Sequence, residues 1–130
     1  MHLEEAVYSY LITQTAVYEK IADRLYPLLL PQKCQLPAVA YTMVSVDRSP
    51  ALQKDTGFVK DTLQFSCHAK SYSEAVSVAK LLRNALQDFN GNMNGIHIGG
   101  VLVVSETVNY ESATKNYSAH IEFEFHFNEE

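Results

Sequence analysis

An α+β fold is predicted for this 130-residue chain, with helices packed on one face of a four-stranded, mixed and mainly antiparallel sheet in the order α-β-β-α-β-β. Three features carry that expectation. Residues 38–46 and 58–69 are rich in β-branched and aromatic types, as strands are. Residues 71–89 combine a capping box with a helical apolar stripe. Residues 117–127 alternate between apolar and polar side chains, which marks a strand with one core face and one wet face.

Taken in order, Leu3, Val7, Tyr10 and Leu11 fall at helical spacing, and Val17, Tyr18 and Ile21 repeat a similar face after Thr13-Gln14-Thr15. One long helix or two short ones ending near Asp23 fit this pattern. Pro27, Pro31 and Pro37 then remove backbone donors and push the preceding residues toward extended geometry, so no helix continues. Tyr26, Leu28, Leu29, Leu30 and Leu36 make this connector too apolar for a solvated linker. It is expected to pack along a sheet edge or a neighbouring subunit.

In the strand over residues 58–69, Leu63, Phe65, Cys67 and Ala69 share one face and Thr62, Gln64, Ser66 and His68 the other. The preceding stretch from Asp47 to Gly57 is polar and too long for a tight hairpin, which predicts an exposed arm. Ser71 followed by Glu74 opens a helix whose stripe is Ala75, Val78, Ala79, Leu82, Leu86 and Phe89, and Asn90-Gly91 stops it. Residues 91–95 read as a turn and residues 96–108 as a strand, with a bulge or close backbone approach at Gly99-Gly100. A polar loop over residues 109–115 leads to the last strand. There Tyr117, Ala119, Ile121, Phe123, Phe125 and Phe127 face one way, and Ser118, His120, Glu122, Glu124 and His126 the other. No repeat or boundary interrupts the chain, which predicts one domain over residues 1–130.

Composition narrows the function. A hydrophobic fraction of 47% and a charged fraction of 19% suit an ordinary globular protein. A net charge of -5 with dispersed Lys and Arg argues against a surface that grips nucleic-acid phosphates. No window approaches the roughly 18 apolar residues of a spanning helix, and the acidic Met-His-Leu-Glu-Glu start lacks a leader pattern, so synthesis in the cytoplasm without a membrane is expected. Cys34 and Cys67 lack the spacing of a redox or zinc pair and read as reduced thiols.

Candidate chemistry is sparse. His120, Glu122, Glu124 and His126, with His68 if the second and fourth strands pair, offer metal-binding types. Residues two apart on a strand are separated by about 7 Å, however, so one row cannot supply several ligands to one ion. Cys67 and His68 point to opposite faces and cannot form a nucleophile and base. Residues 90–95 lack the Lys-Ser/Thr of a phosphate loop, and no Gly-x-Ser-x-Gly elbow or Asp-rich calcium loop occurs. The expectation is no catalytic, cofactor or metal site. Eight tyrosines, with Tyr8, Tyr10, Tyr18 and Tyr26 near the N-terminus, instead favour interfaces.

Several motifs together resemble a known family. They are Asp23-Arg24-Leu25-Tyr26-Pro27, Leu36-Pro37 leading into a strand with Tyr41, Tyr72-Ser-Glu74-Ala75 with Arg83-Asn-Ala-Leu86, and the closing aromatic strand. In order and spacing they resemble the small tail-completion proteins of long-tailed bacteriophages, including lambda-like tail terminators, over nearly the whole chain. The resemblance implies a structural virion protein that forms a ring, usually a hexamer, on the head-proximal end of the tail tube of a phage or prophage. Such a ring stops tube growth and enables head-tail joining.

The implied partners are further copies of the chain, the major tail tube protein and a head-completion or connector protein. DNA passes through the channel without specific binding, and no cofactor is involved. A neck ring sealing the portal is the alternative within the structural class, and a small enzyme using the polar sheet face is the competitor outside it. Ring contacts are expected at Arg24, Tyr26, Leu28 and Leu29, and on the arm at Asp47, Arg48, Gln53, Lys54 and Asp55. Arg24 has a second reading, in which its guanidinium pins the turn through a nearby carboxylate.

Overall fold

A computed structural model describes residues 3–31, 33–47, 59–113 and 115–128. Helix α1 spans Leu3–Ile12 and α2 spans Thr15–Ile21. They are separate because the Thr13 hydroxyl and backbone N–H both bond the Tyr10 carbonyl, at 2.6 and 3.1 Å, which tightens the last turn and closes α1. Leu3, Val7 and Leu11 from α1 and Val17 and Ile21 from α2 are buried, which is the spacing of one helix face.

The sheet has six strands where four are expected from the sequence: β1 (Leu25–Pro27), β2 (Ala38–Asp47), β3 (Val59–Ala69), β4 (Gly91–Met93), β5 (Ile96–Glu111) and β6 (Asn116–Phe127). Helix α3 covers Tyr72–Leu86 between β3 and β4. The spatial order is β1-β2-β3-β6-β5-β4, parallel only between β1 and β2. The four long strands match the predicted set, and the two additions are three-residue edges too short to show periodicity.

Each additional strand has a local cause. Strand β1 is the apolar connector itself, with Leu25 opposite Val39 and Pro27 opposite Tyr41 at the sheet edge, where a proline removes no needed donor. Strand β4 lies in the stretch expected to be only a turn. Asn94 and Gly95 take positive φ of 49° and 95° and form the two-residue hairpin turn that joins β4 to β5. Strand β5 also runs three residues beyond its expected end, to Glu111. The Gly99-Gly100 expectation holds, since the β5–β6 register shifts between Ile98 and Gly100.

All three helices contribute to the core against one sheet face. Leu63, Phe65 and Cys67 of β3 and Ile121, Phe123 and Phe125 of β6 meet Val78, Leu82 and Leu86 of α3 together with the apolar faces of α1 and α2. Phe65 and Phe123 pack edge to face at 5.7 Å. The capping box forms as expected, with the Glu74 backbone N–H donating to Ser71 Oγ at 3.2 Å. Helix α3 stops at Leu86, and Phe89 beyond it packs on Tyr10, whose hydroxyl donates to the Ala85 carbonyl.

Candidate assembly surfaces

The connector occupies one end of the sheet. Leu25 is buried and Tyr26 half-buried, while Pro27 begins an exposed turn. The Leu28 N–H donates to the Tyr41 carbonyl and the Leu29 N–H to the Pro27 carbonyl, both at 2.8 Å. The second bond closes a three-residue turn around Leu28, whose φ is +67°, the rare and strained hand of that turn for a branched side chain. Its outcome is two leucines standing in water, with 70% of Leu28 and 81% of Leu29 exposed.

Arg24 anchors the base of that turn. Its Nε donates to the Pro37 carbonyl at 2.9 Å and an Nη to the Lys20 carbonyl at 3.2 Å, so its partners are backbone carbonyls and not the carboxylate expected from the sequence. The Lys20 carbonyl lies in the last turn of α2, where helix acceptors lack partners and a cation complements the helix dipole. The neighbouring Cys34 thiol is the first cause that holds the Tyr26 hydroxyl above the ordinary phenol range. Asp47 ends β2 opposite Lys60, and Arg48, Gln53, Lys54 and Asp55 lie outside the described residues.

A second surface lies at the other end of the sheet. Strand β4 covers β5 only along Ile96–Ile98, and beyond this β5 reaches past α3. A groove of about 110 Å³ opens between them, with Val76, Ala79, Lys80 and Arg83 on the α3 wall, Glu106, Thr107 and Val108 on the β5 wall, and Ala119 and His120 of β6 completing the lining. Arg83 and Glu106 bridge the walls at 2.9 Å. One helical turn before Val76 and two strand residues past Val108, Tyr72 and Tyr110 are more than half exposed and both pack on Tyr117, at 6.3 and 4.9 Å. Sequence periodicity did not single out this surface, although the alternation Glu106-Thr-Val108-Asn-Tyr110 is a signal for it.

The polar sheet face collects the row of histidines and carboxylates. Pairing of β3 with β6 sets Ser66 opposite His120 and His68 opposite Ser118. His120 Nδ1 lies 2.8 Å from Ser66 Oγ and 3.2 Å from Gln64 Nε2, and its Nε2 lies 3.2 Å from Ser118 Oγ. A neutral ring protonated on Nε2 satisfies all three, donating to Ser118 and accepting from the other two. Burial accordingly holds His120 below the ordinary imidazole range, and His68 is lowered first by burial and then by His120, against an opposing effect of Glu111. His126 contacts Glu124 at 2.8 Å.

Ser66 and His120 thus form a hydroxyl–imidazole contact that sequence spacing did not reveal. Acyl chemistry would also need oxyanion donors, and the backbone around this pair is committed to the β3–β6 ladder. Burial drives the Cys67 thiol far above its ordinary pKa, on the opposite face from His68. Among the described residues no three His, Cys, Asp or Glu side chains converge on a metal position, and no helix is long and apolar enough to cross a membrane.

The described residues thus present two unlike apolar surfaces, an exposed turn beside β1 and a groove between α3 and β5, and a polar face whose His120 is held by hydrogen bonds. The model of the family "Tail completion protein gp17" matches residues 5–127, and the chain belongs to that family. This makes it a structural component of a phage-type virion tail. A protein from the virion of a native gene transfer agent particle has a similar fold, with a TM-score of 0.74 and 14% identity over 98% of this chain and 95% of the other. No curated protein matches the sequence significantly.

Proposed function

We propose that this protein ends the tail. It assembles as a ring, a hexamer, on the head-proximal end of the tube, stops addition of tail-tube subunits, and presents a surface to the head-completion or connector protein. The observation that carries this reading is the family match over residues 5–127. The exposed Leu28–Leu29 turn and the groove between α3 and β5 support it, because a ring closes through unlike surfaces at two places on each subunit. Tyr26, Leu28 and Leu29, together with Asp47, Arg48, Gln53, Lys54 and Asp55, make the contacts, with Arg24 setting the connector's shape. The net charge of -5 suits a channel through which DNA passes without being held.

Adding the protein to polymerising tail-tube subunits and measuring tube length by electron microscopy tests the role. Shortened tubes with one capped end are expected. Unchanged lengths would overturn the proposal, and preferential binding to DNA-filled heads over tubes would assign the protein to the neck instead.

A further inference from the structure

We infer that the groove between α3 and β5 of one copy receives the Leu28–Leu29 turn of the next copy. This inference rests on the ring reading and names the two surfaces that close it. The donor is an apolar knob: both leucines are exposed, and the backbone at Leu28 takes an unfavourable φ of +67° that keeps the turn tight. The N–H groups of both leucines are already bonded within the subunit, that of Leu28 to Tyr41 on β2 and that of Leu29 to Pro27. The knob therefore binds through side chains and does not add a strand to the neighbour's sheet.

The receptor has the matching chemistry. Val76 and Val108, 36% and 40% exposed, line the groove, and Tyr72 and Tyr110, next along the same helix and strand, are exposed aromatics of the kind enriched at interfaces. Charge favours the same pairing. Lys80 is exposed on the groove wall, where Glu106 is already paired with Arg83, whereas Asp23 is exposed near the knob and close enough to act on the Tyr26 hydroxyl, with Arg24 beside it bonded to backbone carbonyls. Acid beside the knob meets base beside the groove.

Knob and groove also lie at opposite ends of the strand order, on the β1–β2 side and the β5 side. A contact between them is head to tail. It joins unlike surfaces and leaves each copy with one of each still to fill, which is the condition for a ring. A two-fold dimer that used this contact would make it twice with one partner, each knob in the other copy's groove, and would leave neither surface to fill.

Cysteine cross-linking tests the contact, and copies carrying both cysteines separate the arrangements, since a head-to-tail series gives disulfide-linked species larger than a dimer and a two-fold pair stops at the dimer. In a Cys34→Ser background, Leu29→Cys copies are mixed with Val108→Cys copies under mild oxidation, with and without tail tubes; buried Cys67 stays out of reach. The expected product is the mixed disulfide, exceeding either self-pair by about tenfold, as one specific contact predicts. Lys80→Glu should lower its yield, and Asp23→Lys added to Lys80→Glu should restore it. Self-pairs in excess, no mixed product even on tubes, or double-cysteine copies that stop at the dimer would overturn the inference. Tube-length control without the cross-link would refute the interface and leave the tail-end role standing, whereas the cross-link without length control would do the reverse.

Discussion

Replacing Arg24 with Met tests whether this residue holds the connector or belongs to an assembly contact. The side chain is half-buried and makes two charge-assisted hydrogen bonds, to the Pro37 carbonyl at 2.9 Å and the Lys20 carbonyl at 3.2 Å. A hydrogen bond to a charged group contributes about 1.5–3 kcal/mol, and the longer of the two belongs at or below the bottom of that range. Met preserves most of the apolar stem, so the loss is chiefly polar, about 3 kcal/mol in all. For 130 residues the unfolding entropy is about 0.27 kcal/mol/K, which converts that loss to a fall in Tm of about 10 °C. Calorimetry on a dilute sample, checked by light scattering to be a single species, measures it. A Tm within about 2 °C of the parent would refute the pinning role and return Arg24 to the set of contact residues.

Other outcomes follow from the same structure. Phe123→Ala should cost about 3–5 kcal/mol in urea unfolding, because the ring is fully buried against Phe65 and Phe125. The lowered pKa values of His68 and His120 mean that the unfolded chain binds protons more readily than the folded one below the ordinary value of 6.5. Their contribution is thus intact above that pH and is lost as pH falls toward the lowered folded values. Urea midpoints measured from about pH 7.5 to about pH 5 should fall, and less steeply in His120→Gln. Gly95→Ala should destabilise by about 1 kcal/mol or more, since φ there is +95° although a Cβ would meet nothing within 4 Å.

Strong periodicity made most of the framework legible before any coordinates. Ile121, Phe123 and Phe125 announce the central strand β6, and Ser71 with Glu74 announces the start of α3, because side-chain direction and capping are properties of a few adjacent residues. The three-residue strands β1 and β4 left no such trace. Strand β1 is a strand only because β2 lies beside it, and β4 only because Asn94-Gly95 folds it back on β5.

The site followed the same division. Sequence alone marked Leu28 and Leu29 as apolar residues in a proline-broken connector that no core helix could claim, and it placed His120 on a polar face. Only the tertiary structure decided that both leucines stand in water, that Arg24 bonds carbonyls, and that Ser66 lies 2.8 Å from His120. The groove between α3 and β5 was likewise invisible, because Val76 and Val108 are 32 residues apart in the chain and become neighbours only when strand register and helix packing are set. Local patterns determine which elements form and which face is apolar. The partners across those faces depend on contacts between distant residues, which one-dimensional periodicity does not encode.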